Sequence, residues 1–122
     1  MKNDLKPRLF NFAVRVIKFL RTLPLNPENK IIRYQLTKSS TSSGANYEEA
    51  QAGSSKADFI YKTEISLKEM RESNYWLRII NSIHNDKEIE LTELEFLVNE
   101  SDELKKILGA IVKKTKDNVI AQ

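Results

Sequence analysis

All three prolines of this chain, Pro7, Pro24 and Pro27, fall within its first 27 residues. Proline breaks helix interiors by removing a donor and crowding the preceding turn. The remaining 95 residues, free of proline, can therefore run in long helices. The apolar residues recur at helical spacing throughout, and no segment alternates as a strand does. A length of 122 residues fits one domain, taken as 1–122.

The first apolar stripe is Leu5, Leu9, Phe12, Val16, Phe19 or Leu20, and Leu23. It predicts a helix over about 4–23. Phe10 and Val14 lie off that stripe and Ile17 on its flank, a second apolar surface that points to a further partner such as another subunit. Asn26 then caps a helix with Pro27 at its first position, where the absent N–H costs nothing. This helix is expected over about 27–52. Its centre, Thr37 to Asn46, is rich in serine and threonine and taken alone reads as a linker. The flanks keep one helical phase, Ile32, Leu36, Ser39 or Ser40, Ser43, Tyr47 and Ala50, so the reading is a helix that a neighbour can approach closely.

Gly53 reads as a C-terminal stop, and Ser55 with Asp58 as a capping box. A third helix follows over about 56–84, with Phe59, Ser66, Met70, Ser73, Leu77, Ile80 and His84 on one seam. Asn85-Asp86-Lys87 reads as a turn. Thr92 and Glu95 form a second capping box, with Leu91 and Phe96 as its hydrophobic staple. The fourth helix is expected over about 92–116, its seam Leu94, Leu97, Ser101, Leu104, Leu108, Ile111 and Thr115. Four long helices joined by short connections predict an all-α, antiparallel up-down-up-down bundle. The seam serines Ser43, Ser66, Ser73 and Ser101 are candidates for setting register or helix pairing.

Several chemistries lack their residues. There is no cysteine, hence no disulfide framework, thiolate zinc site or cysteine nucleophile. The one histidine, His84, has Asn81 three residues before it, so the Glu-x-x-His pairs of a di-iron bundle are missing. His84 reads as an exposed or capping residue before a haem ligand. No Walker loop, dinucleotide turn or nucleophile elbow occurs. Glu48, Glu49, Glu64, Glu69 and Glu72 read as an ion network, and Glu64–Lys68 and Lys68–Glu72 are helix pairs. The expectation is a non-enzymatic protein with no cofactor and no metal. The segment Leu9–Leu20 is too short and too charged to span a bilayer, so a cytoplasmic protein with no membrane partner is expected.

The net charge of +3 is unevenly spread. Residues 1–38 carry +7, residues 39–100 carry −6 and residues 101–122 carry +2. Arg8, Arg15, Lys18, Arg21, Lys30, Arg33 and Lys38 are the candidate nucleic-acid-binding residues, acting by counterion release from RNA or DNA. The plainer reading is a set of solvated helix faces.

Three segments carry a resemblance: Tyr34 to Ala50 (YQLTKSSTSSGANYEEA), Asp58 to Lys62 (DFIYK) and Leu67 to Leu77 (LKEMRESNYWL). In this order and spacing the chain resembles the four-helix-bundle proteins encoded in 23S rRNA intervening sequences. It is similar also to the accessory proteins of diversity-generating retroelements. The likeness spans roughly residues 12–83. Many relatives read Ile-Ala-Glu-Gly after the asparagine, where this chain has Tyr47-Glu48-Glu49-Ala50.

The resemblance implies a ring-like homopentamer without a catalytic site. In the accessory branch it implies nucleic-acid binding and a reverse-transcriptase partner. The motif residues Ser43, Asn46, Glu49, Asp58, Lys62, Glu69, Glu72, Tyr75 and Trp76 are then structural. Among them Asn46, Glu49, Lys62 and Glu69 are expected to form a polar network between helices.

Overall fold

The computed structural model describes residues 4–53, 55–84 and 90–121. Four helices follow one another: α1 (Leu5–Leu20), α2 (Pro27–Gln51), α3 (Lys56–Ile83) and α4 (Leu91–Ala121). Each packs on the next and α4 returns to α1, while the backbones of the diagonal pairs stay apart across the core. This is the expected all-α up-down-up-down bundle. The α2–α3 contact is the most extensive and the α1–α4 contact the slightest. The expected turn at 85–87 lies outside the described residues.

The helix starts follow local chemistry. The Asn26 side chain accepts the Asn29 N–H at 2.8 Å, with Pro27 next in the chain. The Ser55 hydroxyl accepts the Asp58 N–H at 3.1 Å. Each satisfies one of the donors a helix start leaves over. Two boundaries differ from expectation. α4 begins at Leu91 and its first turn closes on the Glu90 carbonyl at 3.0 Å, so Thr92 lies inside the helix rather than capping it. α4 also continues past Lys116 to Ala121.

Gly53 differs as well. Its φ is not positive, and the α2 cap is Ala52 in the right-handed region. A Cβ there would displace the tip of the Asp58 side chain and stand 3.2 Å from the Ala50 carbonyl oxygen.

The core is built from the seams. Phe12, Val16, Leu36, Met70, Leu77, Ile80, Leu94, Leu97, Leu104 and Leu108 are buried. The serine-rich centre of α2 is helix throughout, and Ser39, Ser40 and Ser43 are buried in it. Gly44 completes that surface, its α-carbon facing Leu9 of α1 so closely that a Cβ would lie 3.4 Å from the Leu9 Cβ. Small side chains make up for their weak helix propensity by letting α1 and α3 pack against the α2 backbone.

Candidate functional site

Two arginines of the proposed basic patch turn inward along the α1–α4 groove. Arg8 forks onto Glu100 at 2.7 and 2.8 Å and reaches Glu103 at 3.1 Å. Arg15 forks onto Glu93 at 2.8 and 2.7 Å, and its guanidinium lies 3.6 Å above the Phe96 ring. Planar two-point pairing of this kind is the strong form of the ion pair. Hydrogen bonding to Glu100 holds Arg8 further into its charged range. Hydrogen bonding to Arg15 holds the Glu93 carboxyl below the usual carboxylate range. Arg8 and Arg15 are thus bonded across the weakest helix contact and do not present free charge.

The other five cations of the patch behave differently. Lys18, Arg21, Lys30 and Lys38 are exposed and Arg33 is half-buried. No ion pair forms at any of them among the described residues. Lys38 lies near enough to Glu69 to favour its charged form. The structure therefore divides the seven predicted residues: two are inter-helix ties, and five, from the end of α1 and the first half of α2, remain available to solvent.

The motif residues also separate into distinct contacts. Ser43 and Ser66 bond to each other's helices, Ser43 Oγ donating to the Ser66 carbonyl at 2.8 Å and Ser66 Oγ to the Ser43 carbonyl at 2.7 Å. Ser39 and Ser73 hydroxyls meet at 2.8 Å one level along the same seam.

The expected network of Asn46, Glu49, Lys62 and Glu69 does not form as one unit. Asn46 bonds to Ser42 of its own helix at 2.9 Å. Glu49 and Lys62 make a long surface pair at 3.5 Å. Glu69 is half-buried, and burial, followed by the like charge of Glu72, raises its pKa. Short serines reach the seam, whereas the longer polar groups of the motif extend to the bundle surface. Trp76 Nε1 donates to Glu72 at 3.1 Å, and the Trp76 and Tyr75 rings meet edge to face at 5.5 Å.

Two buried amides were not singled out by sequence reasoning. Asn29 donates to the Pro24 carbonyl at 2.8 Å, and its Oδ1 lies 2.9 Å from His84 Nε2. It joins the α1–α2 connection to the end of α3, and His84 is the α3 C-cap residue. Asn74 Nδ2 donates to Ser101 Oγ at 2.9 Å, joining α3 to α4. Their signal was an amide on an apolar face at helical spacing, two residues beyond Pro27 and one beyond Ser73.

Among the described residues, no group of three or more His, Cys, Asp or Glu side chains is placed to hold a metal ion. Among the same described residues no helix is long and apolar enough to cross a membrane. Clefts lie between neighbouring helices. A further cavity of about 690 Å³ lies at the end of the bundle where α1 begins, lined from all four helices, with Leu5, Phe59, Ile107 and Ile111 as its apolar wall.

Comparison with known proteins gives a consistent family assignment. Residues 2–110 match the 23S rRNA-intervening sequence protein family. A crystal structure of a protein of unknown function from the S23 ribosomal protein family of Bacteroides thetaiotaomicron VPI-5482 is 37% identical in sequence. It superposes with a TM-score of 0.78, covering 93% of this chain and 99% of that one. No curated protein matches. With four helices in the bundle order, the serine seam at its centre and a family match over residues 2–110, the chain belongs to the 23S rRNA-intervening sequence protein family.

Proposed function

We propose that the protein is a non-enzymatic scaffold that assembles as a homo-oligomer, a pentamer by resemblance to its family. The observation that carries this reading is the outer face of α1. Phe10 is 61% exposed, with Val14 and Ile17 half-buried beside it at helical spacing. On α2, Ile31 and Tyr34 are 60% and 65% exposed. Large apolar side chains in rows on adjacent elements mark a surface that another protein covers.

Light scattering of the purified chain at micromolar concentration tests the reading. The expected species has about five times the 14.1 kDa chain mass, and Phe10→Glu shifts it toward the single chain. A strict monomer overturns it.

A second reading is a nucleic-acid-binding accessory factor that partners a reverse transcriptase. It is favoured by the exposed Lys18, Arg21, Lys30 and Lys38, which make no ion pair within the described chain. A fivefold assembly multiplies the net +3 into a formal +15, a field that attracts polyanions. Salt-sensitive RNA or DNA binding that falls when these four are neutralised supports it, and unchanged binding removes it.

A further inference from the structure

A second cationic surface stands apart from the basic N-terminal segment, in the outer groove between α3 and α4. Arg71 and Arg78 of α3 and Lys105 and Lys106 of α4 line a cleft of about 480 Å³ together with Asn74 and Gly109. The two α3 arginines are seven residues apart, two helical turns or about 10 Å along the groove. They come from the segment whose summed charge is −6, so the surplus at this place arises from packing.

The cleft is poorly neutralised from within. Lys105 and Lys106 share one carboxylate, Asp102, at 3.0 and 3.1 Å. Arg71 makes no ion pair among the described residues. Arg78 donates to the neutral Asn74 amide at 2.9 Å and lies 5.7 Å from the Tyr75 ring centre. Four cations against one acid leave a local surplus of three charges. Asn74 is held by Ser101, so Arg78 is anchored to a fixed group.

Gly109 adds access. A Cβ there would meet nothing within 4 Å, and glycine in a helix interior costs about 1 kcal/mol relative to alanine. It leaves the α4 wall low beside the cations.

We propose that this α3–α4 cleft binds phosphate groups of a polyphosphate or phosphodiester ligand. Guanidinium forks match the paired oxygens of a phosphate, and lysines supply point charge. The separation of the two arginines suits more than one phosphate in a row. The proposal rests neither on oligomer formation nor on the N-terminal basic surface.

The full-length protein is titrated at low salt with sodium tripolyphosphate by calorimetry and with labelled twelve-nucleotide oligothymidine by anisotropy. Two variants probe the cleft. Gly109→Glu places a carboxylate in open space and improves helix propensity. The triple variant Arg71→Gln, Lys105→Gln, Lys106→Gln removes three cations. Lys6→Gln, Lys56→Gln, Lys114→Gln, three exposed cations outside both basic surfaces, is the control, and circular dichroism establishes that all are folded.

Saturable binding of either probe is expected, weakened at least about tenfold in both cleft variants, the loss that one charge-assisted hydrogen bond produces. The control should stay within about twofold. Competition between the probes assigns a phosphodiester track, and binding of tripolyphosphate alone assigns a small polyphosphate. Either result supports the cleft. Absence of binding by both probes overturns the proposal, as does binding that survives both cleft variants or falls only in the control.

Discussion

Ser43 and Ser66 each donate a hydroxyl hydrogen bond to the other's backbone carbonyl, at 2.8 and 2.7 Å, across the centre of the α2–α3 seam. Both side chains are buried, so neither bond competes with water. The exchange also fixes the two helices along their axes, because sliding one past the other breaks both bonds at once.

Ser43→Ala is expected to cost about 1 kcal/mol, the net worth of one hydrogen bond. Ser43→Leu is expected to cost about 1–3 kcal/mol or more, because the α3 backbone occupies the space the larger side chain needs. Thermal or urea denaturation of both variants measures the difference. Equal losses would show that the close approach of α2 and α3 contributes nothing.

Arg8→Ala and Arg15→Ala are expected to weaken the α1–α4 contact. Both two-point pairs are half-buried in the groove yet still reached by water, so each loss is about 1 kcal/mol, the upper end for ion pairs in contact with solvent, and Arg15 also covers Phe96. The Arg15 effect depends on pH. Arg15 depresses the folded-state pKa of Glu93. The stabilisation is complete above the unfolded carboxyl value, about 4.3, and is lost as pH falls through the depressed folded value. The gap between wild type and Arg15→Ala in melting temperature should narrow in that acid window. A gap independent of pH contradicts the assignment.

Glu69 has the opposite sign. Burial and then the neighbouring Glu72 charge raise its folded-state pKa, so its ionised form opposes folding at neutral pH. Glu69→Gln is expected to raise the melting temperature at pH 7. The advantage should shrink as pH falls through the raised folded value and vanish below the unfolded one. A stability loss at pH 7 would mean that the carboxylate has a favourable partner, with Lys68 or Lys38 outweighing burial.

Thr63 is buried, and its hydroxyl is the one buried side-chain polar atom without a hydrogen-bond partner among the described residues. Leaving such a group unsatisfied costs about 1–3 kcal/mol. Thr63→Val keeps the shape and removes the polar atom, and is expected to raise stability by about 1 kcal/mol in chemical denaturation. A loss of similar size would place a bound water on that hydroxyl.

Local and periodic features were legible without coordinates. The Asn26 and Ser55 caps, the four apolar seams and the helical phase through the serine-rich stretch all depend on residues within one or two turns. At the start of α4, Thr92 and Glu95 satisfy a capping pattern, but the first turn closes on the Glu90 carbonyl instead. Gly53 stands at a helix end, as its position in the sequence implies, but without a left-handed backbone.

The sequence by itself determined that this chain folds as four long helices with a polar-serine seam, and it carried the family's motif. Helix formation and face selection are set by near neighbours and by a period of 3.6 residues. Only the tertiary structure decided what the charges do. Arg8 meets Glu100 92 positions away and Arg15 meets Glu93 78 positions away, which converts two candidate ligand-binding cations into inter-helix ties. Arg71 and Arg78, embedded in an acidic stretch, meet Lys105 and Lys106 across a groove. Summed charge along a chain does not reveal such groupings, because they depend on the rotation and offset of one packed helix against another.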